Sequence, residues 1–305
     1  MNEKIRLGIL GGGGNSLVGI LHRIAALMHN KYEIVGGVFS RDMSSNTQFA
    51  KKIGIDSSRI YSDCQNMIQN ELKLPEEERI QAVSILTPNF LHYDMAKSLL
   101  ENGFHVICEK PLTTSYDQAK ELRSLVEKTG LIFAVTYTYT GYPTIRKMRK
   151  MISEGAIGEI QKIDAQYYQG WINPIIHQSD TRMDTWRLDP EQSGISCCIG
   201  DIGTHAFNML EYLTQFKIDK ILADLNYLYE DNKMDVDGSI LIRCNNGVKG
   251  IIRASQIATG ENNNFTVMIY GKKGGLKWGQ ENPRVLYFMK EGKEVEILES
   301  DNINS

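Results

Sequence analysis

The chain has 305 residues, of which 42% are hydrophobic and 23% charged, and its formal net charge is −3. This length predicts about two domains, and the interspersed acids and bases argue against a nucleic-acid surface. Five cysteines without ligand-like spacing argue against a disulfide framework and a structural metal site. Since there is neither a signal-peptide pattern nor a run of about 20 apolar residues, we expect a soluble, cytoplasmic protein without membrane contact.

The chain begins with a short apolar run, residues 5–10, that predicts a buried strand. Four glycines follow, and apolar residues then recur at helical spacing from Leu17 to Met28. Strand, glycine turn and helix form the context of a dinucleotide fingerprint, because glycines let the backbone approach a pyrophosphate. We assign this loop to cofactor binding through Gly11, Gly13, Gly14 and Ser16. Ser16 replaces the fingerprint's third glycine; alternatively the loop is longer and Gly19 supplies the close packing, or the glycines form only a tight turn.

The second predicted strand, residues 32–40, ends in Ser40-Arg41-Asp42. An acid at the end of this strand would bind the hydroxyls of the adenosine ribose. Here Ser40 and Arg41 come first, and this pair suits a 2′-phosphate, so the sequence slightly favours NADP among the NAD(P) cofactors. Asp42 keeps NAD possible, and alternatively all three residues begin the next helix.

Two further predicted strands, residues 80–86 and 104–108, end in polar turns. Ligands of open α/β sheets bind beyond the carboxyl ends of the strands, so both turns are predicted to line the cleft. We assign them to cofactor binding through Thr87, Asn89, His92, Glu109 and Lys110. A lysine there can polarise a hydroxyl or carbonyl during proton and hydride transfer. The alternatives are a hydrogen-bonded histidine at a helix end for His92 and an ordinary solvated turn for Glu109-Lys110-Pro111.

The arrangement of elements changes after about residue 139. Before it, five or six strand–helix alternations, the last strand being residues 131–137, predict a doubly wound parallel Rossmann domain over residues 1–138. After it, one helix ending at Gly155 precedes long strand-like stretches at 160–171, 218–229, 236–244, 248–257 and 265–270. The second domain, residues 139–305, is therefore predicted to be α+β with a large, open, mainly antiparallel sheet.

Two features interrupt that second domain. Residues 171–193 are irregular and rich in aromatic and polar side chains, which favours a functional loop. The segment Gly200 to His205 opens a helix, and Asp201 and His205 stand four residues apart on one face. An aspartate beside a histidine orients the imidazole for acid–base work. The alternative is a carboxylate that interacts with the helix dipole, next to a partly buried histidine.

The glycine turn, Glu109-Lys110-Pro111 and Gly-Asp-Ile-Gly-Thr-His at 200–205, in this order and at these separations, resemble the Gfo/Idh/MocA oxidoreductase family (glucose–fructose oxidoreductase, inositol dehydrogenase and relatives). The resemblance spans essentially the whole chain. It implies hydride transfer between a nicotinamide and a ring carbon of a sugar, cyclitol or derivative. It also implies that His205 takes the hydroxyl proton, Asp201 orients His205, and Lys110 stabilises the alkoxide. The candidates for the sugar pocket are Tyr139, Trp171, Trp186 and Arg187.

The resemblance leaves two other functions open and raises expectations about assembly. Some relatives are glycosidases that oxidise the sugar only transiently, and a non-catalytic sugar- or nucleotide-sensing regulator is the third possibility. The family's open sheet often builds homodimers or homotetramers, so we expect an isologous contact through the sheet. Relatives typically continue beyond the point that matches Ser305, and we expect the apolar surface which that segment would cover to be buried between subunits. The polar tail, residues 299–305, is expected to be disordered.

Overall fold

The computed structural model describes residues 4–177, 186–228 and 234–300. The chain divides into two compact units, residues 1–136 and 137–305. No helix within the described ranges is long and apolar enough to cross a membrane. The expectation of a disordered tail is wrong at its start, because Glu299 pairs with Val285 in the last strand and the Ser300 N–H donates to the carbonyl oxygen of Arg284 (2.9 Å). The rest of that tail, residues 301–305, lies outside the described residues.

The first unit contains a five-stranded parallel sheet in the order β2-β1-β3-β4-β5. Its strands are β1 (Ile5–Gly11), β2 (Tyr32–Val38), β3 (Ala82–Leu86), β4 (His105–Cys108) and β5 (Phe133–Val135). Its helices are α1 (Leu17–Met28), α2 (Met43–Lys52), α3 (Cys64–Glu71), α4 (His92–Glu101) and α5 (Tyr116–Thr129). Because β1 lies between β2 and β3, the strand order reverses at β1, and the crevice for a ligand opens there. The predicted Rossmann sheet is confirmed.

Polar caps determine where several of these helices begin. The side chains of Ser16, Asp42, Asp63 and Ser115 accept hydrogen bonds from backbone N–H groups in the first turns of α1, α2, α3 and α5. Each cap pairs a donor that the helix leaves unpaired. Ser115 caps α5 as predicted.

The apolar residues of α1 do not face the core. Leu17 is 69% exposed and Met28 is 67% exposed, and the residues buried on this helix are Gly19 and Ala26. The helix contacts the sheet through its smallest side chains, so its larger apolar residues point away. Periodicity identified the helix but not the side that packs.

The second unit is an eight-stranded sheet in the order β13-β12-β11-β10-β6-β9-β8-β7. Its strands are β6 (Ile160–Tyr168), β7 (Ile218–Tyr227), β8 (Asp235–Cys244), β9 (Lys249–Ser255), β10 (Asn264–Gly271), β11 (Gly274–Gly279), β12 (Val285–Met289) and β13 (Glu296–Glu299). Only the β6–β9 pair among these neighbours is parallel, so the predicted, mainly antiparallel sheet is confirmed. One face packs under the helices α6 (Pro143–Ser153) and α9 (Thr204–Thr214), with Phe265 and Trp278 fully buried in the core.

Three predictions for this unit need correction. The strand β6 ends at Tyr168, three residues before the predicted Trp171, because the chain turns after pairing with β9 and β10. The strands β11 and β12 were not predicted. The described part of 171–193 is not wholly irregular, since it contains α7 (Asn173–His177), a 3₁₀ turn (Trp186–Leu188) and α8 (Pro190–Ser193).

Candidate active site

The glycine loop is shaped by two close backbone approaches. A Cβ atom at Gly13 would lie 2.3 Å from the carbonyl oxygen of Phe39, and one at Gly19 would lie 1.8 Å from the carbonyl oxygen of Gly12. Neither position accepts a side chain. Gly19 therefore supplies the close packing, as in the longer-loop alternative, and the hydroxyl of Ser16 accepts the Gly19 N–H (3.2 Å) as the cap of α1.

The same loop leaves one backbone segment open. Gly14 has φ +56°, and a Cβ there would meet nothing within 4 Å. On the inner side, Arg23 donates to the carbonyl oxygen of Gly12 (2.6 Å) and lies 4.9 Å from the centre of the Phe49 ring. A braced loop with an accessible backbone at the start of a helix fits a pyrophosphate.

A cavity of about 720 Å³ continues from this loop past the end of β2. Its lining includes Ser40, two residues after the end of β2, and a polar stripe of α2 formed by Ser45, Gln48 and Lys52. No acidic side chain is among the described residues that line it. The stripe was missed in the sequence, although positions i, i+3 and i+7 share one helix face and signal it.

Asp42, the acid that would bind a ribose, is used to cap α2. Its carboxylate accepts the Ser45 N–H (2.8 Å), and hydrogen bonds from Ser45 lower the pKa of Asp42. Ser40 accepts the Asp42 N–H at its hydroxyl oxygen (3.2 Å), so its own O–H remains a donor. Arg41 is exposed and is not among the residues that line this cavity.

The turn after β4 carries Glu109 and Lys110, and Glu109 is bound by two other elements. One carboxylate oxygen, Oε1, lies 2.6 Å from Thr136 Oγ1 and 2.9 Å from His22 Nε2. Burial alone would raise the pKa of Glu109, but the hydrogen bonds from His22 and Thr136, with the charge of Lys110, lower it on balance. Glu109 is therefore an anion held against α1 and the end of β5.

Pro111, the residue after Lys110 in that turn, is in contact with His92. The ring of His92 is fully buried, with Nδ1 2.9 Å from the carbonyl oxygen of Pro111 and Nε2 2.8 Å from that of Thr87. This is the geometry of the alternative, a hydrogen-bonded histidine at a helix start. Asn89 begins the 3₁₀ turn (Asn89–Leu91) that precedes α4, and it is 9% exposed.

Asp201 lies in a π-helical turn, residues 199–203, that leads directly into α9. The buried carboxylate of Asp235 accepts the N–H groups of Cys197 (3.0 Å) and Ile199 (2.6 Å) and so anchors the start of this turn. Gln256, which has no exposed surface, donates from Nε2 to Asp201 Oδ2 (3.1 Å). Single π-helical turns frequently occur at functional sites.

The thiol of Cys197 completes the contacts of Gln256. Burial raises the pKa of Cys197 to about 12, so its sulfur keeps its proton and donates to Gln256 Oε1 (3.2 Å). Both ends of the Gln256 amide are therefore fixed, and the amide fixes Asp201. Gln256 and Asp235 were not identified in the sequence, because each acts on a turn many residues away.

His205 is 6% exposed and is surrounded by tyrosine rings. Its ring centre lies 4.7 Å from that of Tyr139, 5.6 Å from that of Tyr137 and 6.0 Å from that of Tyr167. The hydroxyls of Tyr139 and Tyr167 are 2.5 Å apart. Of the predicted pocket residues, Tyr139 is thus in direct contact with the proposed base.

The other three predicted pocket residues group near the start of the π-helical turn. Trp171 packs on a cluster that contains Cys197, and the charge of Arg187 acts on the Cys197 thiol. The guanidinium of Arg187 lies 4.4 Å from the centre of the Trp186 ring. Lys110 belongs to the first unit, whereas Asp201, His205 and these aromatic residues belong to the second.

Comparison with known proteins identifies the family. Residues 5–137 match the family model of the Gfo/Idh/MocA oxidoreductases with an NAD-binding Rossmann fold, and residues 145–277 match that of the Gfo/Idh/MocA C-terminal domain. The uncharacterised oxidoreductase YfiI of Bacillus subtilis is 33% identical over 301 residues, which are 98% of this chain and 76% of YfiI. Levoglucosan dehydrogenase of Pseudarthrobacter phenanthrenivorans is 28% identical over 256 residues, 76% of this chain and 61% of that enzyme.

A solved structure gives the same result. The inositol dehydrogenase homolog of Azotobacter vinelandii, in complex with NADH and myo-inositol, has a TM-score of 0.89 at 30% identity, over 98% of this chain and 76% of that one. The resemblance seen in the sequence is confirmed, and this chain belongs to the Gfo/Idh/MocA family of NAD-binding oxidoreductases.

Proposed function

We propose that this chain is an NAD(P)-dependent dehydrogenase that oxidises a ring CH–OH group of a sugar, cyclitol or derivative. The observation that carries the proposal is the buried imidazole of His205, which is enclosed by tyrosine rings. Asp201, four residues earlier, has its carboxylate held by Gln256. The substrate class is supported by the relatives, which include a levoglucosan dehydrogenase and an inositol dehydrogenase homolog that binds myo-inositol.

In the proposed mechanism, His205 accepts the proton of the substrate hydroxyl. Asp201 steadies the imidazolium that forms, and Gln256 holds Asp201 in the orientation this requires. The rings of Tyr137, Tyr139 and Tyr167 limit the access of water to the imidazole. The ammonium of Lys110 stabilises the negative charge that develops on the substrate oxygen. A bound nicotinamide would supply the hydride acceptor for the ring carbon that carries this hydroxyl.

For the cofactor, we propose that NADP binds at least as well as NAD. The 2′-phosphate would be met by Arg41, the free O–H of Ser40 and the ammonium of Lys52, which has no ion-pair partner among the described residues. Asp42, which would repel a phosphate, is turned toward the backbone of its own helix. Phosphate binding by cationic and hydroxyl side chains at this position is stronger than ribose binding alone.

For the assembly, we propose an isologous homodimer through the outer face of the second sheet. Leu222, Leu241 and Ile251 occupy paired positions on β7, β8 and β9 and form an apolar row. Leu222 is 70% exposed and Leu241 is 53% exposed. A second copy that packs on this face would bury the row in an isologous contact.

We also propose a cytoplasmic location. All five cysteines are free and buried, which is the state that a reducing compartment maintains.

The experiment that tests the function is an absorbance screen at the NAD(P)H band with NAD and with NADP. The panel contains myo-inositol, levoglucosan, common aldoses and their oxidised forms. Reduction of the cofactor by at least one polyol, lost in His205→Ala, is the expected result. Cofactor binding without reduction by any member would contradict the dehydrogenase, and net hydrolysis of a glycoside without NAD(P)H accumulation would identify the glycosidase instead.

A further inference from the structure

Two histidines outside the proposed acid–base pair contact the residues on either side of Lys110. His22, on α1, binds the carboxylate of Glu109, and His92, at the start of α4, binds the carbonyl oxygen of Pro111. We propose that His22 and His92 are positioning residues that fix the Lys110 turn. This inference rests on the proposed role of Lys110 in stabilising the alkoxide.

The His22 contact joins the turn to the helix of the cofactor loop. The side chain of His22 is 15% exposed and that of Glu109 is 16% exposed, so the bond between them is shielded from solvent. Thr136, at the end of β5, donates to the same carboxylate oxygen. Since three elements meet on one carboxylate, Glu109 cannot change its rotamer without breaking two hydrogen bonds.

The His92 contact joins the turn to the end of β3. Both oxygens that face the ring belong to carbonyl groups and only accept hydrogen bonds. Burial lowers the pKa of His92, so the ring is neutral near pH 7 and has one N–H. If His92 holds the Lys110 turn, that proton lies on Nδ1 and points to Pro111.

Together the two contacts explain how a lysine on a turn keeps a fixed position. The strand β4 ends at Cys108, and beyond it the Glu109 N–H still donates to the carbonyl oxygen of Ile85 on β3 (3.0 Å). Side chains from α1 and α4 add one further contact on each side of Lys110. A displacement of about 1 Å at a reacting group can lower turnover by roughly 10²-fold, so such contacts act on the chemistry.

The first test needs no substrate. Lysines are reductively methylated with ¹³C-formaldehyde, and the Lys110 resonance is assigned by its loss in Lys110→Arg. We expect this resonance to shift in His22→Leu and to return toward its original position in His22→Gln, whose amide nitrogen replaces Nε2. The matched control is His105→Gln, because His105 lies at the opposite end of β4, where its ring accepts the Ile132 N–H. An unchanged Lys110 resonance in His22→Leu would overturn the His22 contact.

The second test separates the two ring contacts of His92. Asparagine places its amide nitrogen near Nδ1 and keeps a donor toward Pro111, whereas glutamine places its amide nitrogen near Nε2 and directs the donor toward Thr87 instead. We expect His92→Asn to preserve the Lys110 resonance better than His92→Gln. Long-range ¹H–¹⁵N spectra of the wild-type histidines are expected to show His92 protonated at Nδ1. Protonation at Nε2 alone, or a better-preserved resonance in His92→Gln, would overturn the His92 contact.

The third test uses turnover with the substrate from the absorbance screen. His22→Leu is expected to lower kcat by roughly 10-fold to 10²-fold, with the affinity for the dinucleotide by calorimetry unchanged. In a Lys110→Met background the same substitution should cause no further loss. If Lys110→Met itself keeps full turnover, the proposed role of Lys110 fails; if Lys110→Met is inactive and His22→Leu is fully active, this inference alone fails.

Discussion

The carboxylate of Asp235 is expected to be essential to the π-helical turn that carries Asp201, and Asp235→Ala tests this. Asp235 is 2% exposed, and its two oxygens accept the N–H groups of Cys197 and Ile199. Alanine removes both acceptors without offering another. The turn would then have to expose these groups to water or leave them unpaired.

The size of the effect follows from the burial of the two donors. Leaving a buried hydrogen-bonding group unpaired costs about 1–3 kcal/mol. The bond to the Cys197 N–H is fully buried, so its loss should fall in the upper part of that range. The bond to the Ile199 N–H is only partly buried, and water can replace it at a cost of about 1 kcal/mol. We therefore expect Asp235→Ala to lower the free energy of unfolding by about 3 kcal/mol. Asp235→Asn keeps one acceptor oxygen and should lose about half as much.

The assay is urea unfolding followed by circular dichroism, together with kcat. With a slope of about 3 kcal/mol per molar urea, the midpoint of Asp235→Ala should fall by about 1 M. The matched control is Asp237→Ala on the same strand, since the Asp237 side chain is half-buried and its bond to Asn226 is long and exposed, at 3.4 Å. That control should change stability by less than about 0.5 kcal/mol. If the urea midpoint of Asp235→Ala lies within about 0.2 M of the wild-type midpoint, the expected role of Asp235 is refuted.

Other predictions concern chemistry, cofactor, pH and assembly. Lys110→Met and His205→Ala should each lower turnover by roughly 10²-fold or more and combine non-additively, while a near wild-type Lys110→Met would contradict the mechanism. In calorimetry, Arg41→Ala should weaken the affinity for NADP by roughly tenfold and change the affinity for NAD little. A wild-type affinity for NAD roughly tenfold higher than that for NADP would contradict this prediction. Burial lowers the pKa of His92 in the folded state, so the unfolded chain binds the extra proton; stability should fall as the pH drops below about 6.5, less so in His92→Gln. Leu241→Glu should convert a dimer to a monomer in light scattering, and a monomeric wild type at micromolar concentration would exclude the proposed contact.

The strands of the first unit could be predicted from the sequence because parallel strands are buried on both faces. All five residues of β3 are buried, and four of them are apolar, with Ser84 between them, so the strand is recognised from a nearly continuous apolar run. The strand β11 could not be predicted in this way, since it contains three glycines and a lysine around Trp278. Its stability comes from pairing with β10 and β12 and from the burial of that tryptophan, which no local pattern reveals.

The proposed reactive side chains could be predicted from their motifs, but the residues that hold them could not. Lys110 follows a buried strand, and Asp201 and His205 have helical spacing, so local patterns marked all three as candidates, and the family resemblance of the combined motifs assigned their roles. The contact of His22 with Glu109 spans 87 residues, and that of Gln256 with Asp201 spans 55. Sequence periodicity reports which elements form, but it does not report which distant side chains meet at their ends.

Each unit places one residue of the proposed mechanism on a short irregular segment, although His205 itself lies in the regular helix α9. Lys110 lies on the turn after β4, and Asp201 lies in a π-helical turn before α9. In a regular helix or strand the backbone hydrogen bonds fix the main chain, whereas here buried side chains add to them: His92 on one turn and Asp235 on the other. A buried polar group bonds strongly because water does not compete, and its removal leaves a partner unpaired. Such buried groups therefore fix the position of a neighbouring side chain that must also reach the substrate. Replacing any one of these buried groups lowers the stability of the fold.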